Sequence, residues 1–270
     1  MKIALIFPPD RPLALEMAQT AAVWFKAHGT AVFTEVPLDG VPVLNDTASL
    51  DAYVAIGGDG TMLHCASLSV SKPAPMLGIN IGKVGFLAET QPDKMEDAFA
   101  CLISGSFQLE RRRMLDICSG TGCWSALNDA LITRAAFPRL LNLKVDVDND
   151  SAMRIRADGV LISTPTGSTG YAISAGGPLV APDASCLLIT PICAHSFTAR
   201  PLIVREDSVI RISFSGDPLM AAELHADGQP VRKLVMSDVI TLRAGQYVEL
   251  IHTQPFNFYE TVRIKLIHHY

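Results

Sequence analysis

In Ala52-Tyr53-Val54-Ala55-Ile56-Gly57-Gly58-Asp59-Gly60-Thr61, five apolar residues run straight into three glycines that flank one aspartate. Met62–Val70 follows with helical character, so the stretch predicts a buried strand, a tight turn and the opening of a helix. Glycines in such a turn let the backbone take positive φ and approach a ligand closely. The helix N-terminus beyond them carries free N–H groups and a partial positive charge, which suits a phosphate. Gly57, Gly58 and Thr61 are the candidate phosphate cradle. An aspartate inside such a cradle repels its ligand unless it holds Mg²⁺ or takes a proton from an attacking hydroxyl. A plain turn with Asp59 as helix cap is the other reading, and the motif by itself leaves both open.

On either side of this motif, elements alternate in type. Lys2–Phe7, Ala31–Val36 and Met76–Ile81 read as further strands. Leu13–Ala27 carries Leu15, Ala18, Ala22 and Phe25 at helical spacing with Gly29 just past its end, and Pro92–Ile103 reads as another helix. Alternation of strand and helix predicts an α/β N-terminal domain, residues 1–107, with a mostly parallel sheet. From Gln108 onward short alternating strands with turn signals predict an all-β C-terminal domain, residues 108–252. Asp227-Gly228 and Ala244-Gly245 are its candidate hairpin turns. Phe258, Val262 and Leu266 return to helical spacing, so residues 253–270 are expected as a C-terminal helix packing back on the N-terminal domain.

The composition narrows the class. The chain has 270 residues, 49% of them hydrophobic and 18% charged, which excludes intrinsic disorder. A net charge of −5 without a basic tail argues against nucleic acid as a partner, and leaves room for a small anionic ligand. The apolar start is too short for a signal sequence and is stopped by Pro8-Pro9. The uncharged stretch from Gly159 to Pro182 is too rich in Gly, Ser, Thr and Pro to span a membrane. Six cysteines without a C-x-x-C pair or a nearby His cluster are expected mostly as buried free thiols in a reducing cytosol. The expected location is therefore cytoplasmic.

Two further segments carry polar chemistry. Ser163-Thr164-Pro165-Thr166-Gly167-Ser168-Thr169-Gly170-Tyr171 follows a strand and holds five hydroxyl side chains, two glycines and a tyrosine. It offers uncharged donors to ribose and adenine edges, or it is a Ser/Thr-rich turn. Leu127-Asn128-Asp129-Ala130-Leu131 puts a polar pair ahead of an apolar run, and by itself reads as a turn before a strand. No Walker P-loop and no Rossmann G-x-G-x-x-G follows any expected strand.

The order of these motifs along the chain resembles that of NAD kinases, over nearly the whole length. Gly78-Ile79-Asn80-Ile81-Gly82-Lys83-Val84-Gly85-Phe86-Leu87 and Asp227-Gly228-Gln229 match further family segments. The Gly-Gly-Asp-Gly-Thr motif is shared with diacylglycerol and sphingoid-base kinases and loosely with phosphofructokinases, whereas the Ser163–Tyr171 segment discriminates. The resemblance implies NAD in a crevice between two domains, with NADP⁺ as product. It implies Asp59 as proton acceptor, Gly60 beside the substrate, and Asn128 and Asp129 on the adenosine part. Arg156, Asp158, Thr166, Thr169, Gly170, Tyr171, Ala172, Ile173 and Ser174 would line the NAD site, with Arg139 and Gln229. ATP or polyphosphate would be the donor, Mg²⁺ or another divalent cation would accompany ATP, and contacts across subunits would make the chain a homodimer or homotetramer. Three positions depart from the family's usual residues: Asp129 for Glu, Gly170 for Ala, and His64 for Arg. Alternatives to this reading are a lipid kinase that shares the glycine motif, and a sensor that binds NAD(H) without chemistry.

Overall fold

The computed structural model describes residues 1–45, 49–82, 85–88, 90–135, 140–196, 198–215 and 222–267. The chain divides into two units, Met1–Arg111 with Val248–Tyr270, and Arg112–Tyr247.

The first unit begins with β1 (Lys2–Ile6), α1 (Pro12–Ala27), β2 (Ala31–Thr34), β3 (Ala52–Gly57), α2 (Asp59–Ser71), β4 (Met76–Asn80) and α3 (Met95–Ser104). The strands are parallel in the order β2-β1-β3-β4. Every residue of β3 and β4 is buried, as strands covered on both faces require. Pro12 opens α1, where its missing N–H is no loss, and Ala14, Met17, Ala18, Ala21, Ala22 and Phe25 form its buried stripe. The chain leaves β1 towards β2 on one side and returns to β3 on the other, so the strand order switches between β1 and β3. Crevices at the carboxyl ends of strands at such a switch are where ligands bind in open α/β sheets. Glycine-flanked Asp59 lies at this point.

The second unit takes the chain from β5 (Gln108–Ser119) through β6 (Gly122–Ala126), β7 (Asp129–Arg134), β8 (Leu141–Val147), β9 (Asp150–Ala157), β10 (Gly159–Ser163), the short α4 (Tyr171–Ser174), β11 (Cys186–Ile192), β12 (Leu202–Arg205), β13 (Ile210–Ser215), β14 (Ala222–Ala226) and β15 (Gln229–Leu234) into β16 (Ile240–His252). β12-β11-β10-β7-β14-β15 form one antiparallel sheet, with β7 and β10 at its centre. The inward faces of this sheet and of β8, β9 and β13 share one apolar core that includes Ile132, Leu143, Val160, Ile189, Ile212 and Leu224.

Two expectations change. Ala244-Gly245 is no hairpin turn: β16 runs through it unbroken. The glycine serves close approach instead, since a Cβ there would lie 2.4 Å from Asp116 Oδ1. The cysteines are not mostly buried free thiols. Cys118 and Cys123 are opposite residues of the β5–β6 hairpin and form a disulfide, and of the four free thiols only Cys65 is buried. The end of the chain forms α5 (Phe258–Val262), capped by the Asn257 side chain, and continues as a π-helical turn over Arg263–Ile267. Lys265 Nζ stands 4.0 Å over the Phe86 ring within the first unit. Among the described residues no helix is long and apolar enough to cross a membrane.

Candidate active site

Asp59 is the first residue of α2 and not its cap, since Gly58 holds the N-cap position. Its carboxylate turns to the loop after β4 instead. Oδ2 accepts the Phe86 N–H at 2.8 Å, and Oδ1 accepts those of Leu87 at 3.0 Å and Ala88 at 3.3 Å. Gly85 makes room for this, because a Cβ there would lie 1.9 Å from Asp59 Oδ1. Neither reading of the motif foresaw this loop contact. A carboxylate offers about four lone-pair positions. Three are taken, and among the described residues no donor takes the second position on Oδ2.

Beside this turn lies a cavity of about 730 Å³ lined by Phe7, Pro8, Arg11, Glu35, Gly58, Gly60, Thr61 and His64 among others. It occupies the switch point between β1 and β3. His64 Nε2 is 2.6 Å from Glu35 Oε2, so the histidine at this position has a partner that no sequence signal announced. Gly57 ends β3 and its carbonyl accepts the Ile81 N–H at 3.0 Å. No cluster of three or more His, Cys, Asp or Glu residues that could hold a metal ion occurs among the described residues.

In the second unit, the centre of the antiparallel sheet brings Asn128, Asp129 and the Ser163–Tyr171 loop together. Asp129 faces Ser163 across β7 and β10. Thr164 bonds the backbone of the polar pair: its N–H donates to Asn128 O at 2.9 Å and its hydroxyl to Leu127 O at 2.6 Å. Most hydroxyls of the loop are engaged within the fold. Ser168 exchanges hydrogen bonds with the Val180 backbone, Thr169 donates to Thr166 O, and Thr166 accepts from Arg112 at 3.4 Å. Ser163 Oγ is the exception, buried without a partner among the described residues. The loop's hydroxyl density thus serves largely to lock its own backbone.

The remaining sequence-derived candidates spread around this centre. Tyr171 opens α4 and is 45% exposed, leaving its ring available, whereas Ala172 is fully buried. Ile173 is half-buried and Ser174 exposed. Arg156 is exposed on β9 and Gln229 is exposed at the start of β15. Asp158 pairs with Arg134 Nε at 2.8 Å, a partner that sequence reading missed. Arg139 lies outside the described residues.

Asp129 is 7% exposed, and burial, with the Asp227 carboxylate beside it, pushes it up to about 7. Burial raises Asp227 as well, against three backbone N–H bonds that pull it down. The ordinary value for Asp129 is 3.8, so at intermediate pH the native state keeps a proton that the unfolded chain has released. By linkage, stability is then greatest below the ordinary value and falls as pH rises through this window. Melting of the ligand-free protein from about pH 4 to about pH 7 should show a loss on the order of a few kcal/mol that Asp129→Asn reduces, leaving the share due to Asp227. Parallel pH profiles for the two proteins would contradict the buried charge pair.

Gly170 offers a milder test. A methyl there would sit 3.3 Å from Asn128 Nδ2 and from Gly167 O, tight by only a few tenths of an ångström. Gly170→Ala should cost about 1 kcal/mol or less in chemical denaturation, and a loss beyond ~3 kcal/mol would contradict this packing.

Comparison with known proteins agrees with both halves. The ATP-NAD kinase N-terminal domain model matches residues 41–107, and the ATP-NAD kinase C-terminal domain model matches residues 127–253. Both models describe parts of one kinase. The chain belongs to the NAD kinase family. It is 34% identical over 279 residues to the NAD kinase of Chlorobium phaeobacteroides, covering 99% of this chain and 97% of that one. To the NAD kinase of Heliobacterium modesticaldum it is 33% identical over 283 residues, covering 98% of each. A crystal structure of yeast NADH kinase complexed with NADH superposes with a TM-score of 0.86 at 26% identity, over 99% of this chain and 87% of that one. An NAD kinase from Archaeoglobus fulgidus in complex with ATP shares the fold, with a TM-score of 0.75 at 24% identity over 97% of each chain.

Proposed function

We propose that the protein transfers the γ-phosphoryl group of ATP to the 2′-hydroxyl of the adenosine ribose of NAD⁺, giving NADP⁺ and ADP. In this reading the 2′-oxygen attacks the γ-phosphorus in line, the bond to the β-bridging oxygen breaks, and the hydroxyl proton passes to Asp59. Such transfer depends on positioning and charge neutralisation more than on covalent chemistry. The observation that carries the reading is the Asp59 carboxylate, fixed by three amides at the switch point, with no further donor among the described residues. The Gly57–Thr61 turn, with Gly58 and Gly60 lining the adjoining cavity, is assigned to the phosphates. Asn128 and Asp129 are assigned to the adenosine ribose, and Arg156, Asp158, Thr166, Gln229 and the run Thr169–Ser174 to the rest of the dinucleotide.

Without an acidic cluster among the described residues, Mg²⁺ is assigned to the nucleotide, entering on the phosphates of ATP as this ion commonly does. It would neutralise developing phosphate charge. Cytoplasmic location and a homodimeric or homotetrameric state complete the reading, and sedimentation of the purified chain tests the latter. The reaction itself is tested by adding NAD⁺ and ATP and following NADP⁺ with an NADP-dependent dehydrogenase. Steady NADP⁺ formation is expected. Binding of NAD⁺ without turnover would make the protein a sensor, and turnover only with a lipid acceptor would make it a lipid kinase.

A further inference from the structure

Leu127–Asp129 is held from two sides. Its carbonyls are taken by Thr164, through the hydroxyl on Leu127 O and the N–H on Asn128 O. Its three consecutive N–H groups are taken by one residue. Asp227 Oδ2 accepts from Leu127 at 2.8 Å, and Oδ1 accepts from Asn128 at 2.7 Å and from Asp129 at 3.1 Å. The contact is reciprocal, because the Asp227 N–H donates to Asp129 O at 2.9 Å. Three successive amides converging on one carboxylate form a concave anion site whose anion is built into the chain.

The geometry depends on the hairpin turn between β14 and β15. Asp227 has φ 47° and Gly228 φ 78°, the left-handed pair that a two-residue turn of this kind needs. β14 runs antiparallel to β7 with Ala226 opposite Ala130, so the turn delivers Asp227 to the entrance of β7. With its backbone held on both edges, the segment has two polar side chains left to offer, Asn128 and Asp129. Neither side chain makes a hydrogen bond among the described residues.

We propose that Asp227 is a positioning residue for dinucleotide recognition: its carboxylate fixes the amides of Leu127–Asp129 and so aims Asn128 and Asp129 at the substrate. This rests on the assignment of those two side chains to NAD⁺. Asp227 touches no substrate in this account and acts through the segment it holds. A carboxylate beside buried Asp129 is a costly choice for a mere turn residue, since two acids in a partly desolvated place repel. Asn at the same place would fit the left-handed turn equally well. The charge therefore goes with the three amide donors, which one amide oxygen cannot satisfy from both sides.

Steady-state kinetics and calorimetric NAD⁺ binding on Asp227→Asn and Asp227→Ala test the proposal, with Asn128→Ala and Asp129→Ala as references. Asp227→Asn keeps the turn and one acceptor, so it remains measurable if the alanine variant fails to fold. The expected result for Asp227→Asn is a KM for NAD⁺ raised at least about tenfold, with kcat within about threefold and KM for ATP unchanged. Weakened NAD⁺ binding in the two reference variants with normal binding in Asp227→Asn would overturn the proposal and leave the site assignment standing. Normal binding in all of them would overturn both. Equal losses in kcat and in the KM for each substrate would mark Asp227 as structural only, which also overturns it.

Discussion

Asp59→Asn lowers phosphoryl transfer by at least ~10²-fold, the loss expected when a general base is removed, and leaves NAD⁺ affinity within about tenfold. The structure adds a second effect. Asn keeps one acceptor oxygen and turns an NH₂ group towards an N–H of the Phe86–Ala88 loop, where the carboxylate had accepted three bonds. Hydrogen bonds to a charged group contribute about 1.5–3 kcal/mol each, so the variant should also melt earlier. The two effects separate in one experiment. Single-turnover rates measured well below the melting transition report the chemistry, and the melt reports the loop. A folded variant with near-normal turnover would show that the carboxylate only anchors the loop.

Gly167→Ala should disable the dinucleotide contacts assigned to the second unit. A Cβ at Gly167 would lie 2.1 Å from Asn128 O, a backbone atom that cannot swing aside. That oxygen accepts the Thr164 N–H at 2.9 Å, and the amides on the other edge of the same segment are gripped by Asp227. Overpacking of this kind costs about 1–3 kcal/mol or more. The displaced segment carries Asn128 and Asp129, so NAD⁺ affinity should fall at least about tenfold as stability drops. Titration calorimetry and thermal melting of the variant check both. Unchanged NAD⁺ affinity in a folded variant would dissociate the loop from substrate recognition.

The sequence-based reading succeeds where local pattern and tertiary role coincide. The apolar runs at Lys2–Phe7, Ala52–Ile56 and Met76–Ile81 are fully or almost fully buried parallel strands, and burial of both faces is what makes them uninterrupted. Asp227-Gly228 is a turn because both residues tolerate left-handed φ. In β5 the run Arg111-Arg112-Arg113 interrupts the alternation of apolar and polar residues. Arg112 is nonetheless 3% exposed and reaches Thr166. At Ala244-Gly245 the glycine signals close approach to Asp116 rather than a turn, and a single sequence carries no mark that separates the two. The cysteine spacing Cys118–Cys123 becomes a disulfide only because a hairpin places the two residues opposite each other.

The candidate site shows the same limit. Residue types at Asp59, Asn128 and Asp129 point to chemistry, but their partners are distant in sequence. Asp59 is held by residues 27 to 29 positions away, and the Leu127–Asp129 amides by a residue about a hundred positions on. The hydroxyl-rich loop reads as a donor surface, and the residues its hydroxyls bond within the fold, Leu127, Val180 and Arg112 among them, are distant in sequence, because buried polar groups must be satisfied before any ligand arrives.

The most direct test follows the phosphorus atom. Purified protein is given NAD⁺ and ATP labelled in its γ-phosphoryl group, and the products are separated and located by phosphorus NMR. The account predicts that label appears in NADP⁺ as a 2′-phosphate monoester, with one ADP formed per NADP⁺ and almost none when Asp59 is Asn. Label released as inorganic phosphate without NADP⁺, or found on any hydroxyl other than the adenosine 2′-position, would contradict it.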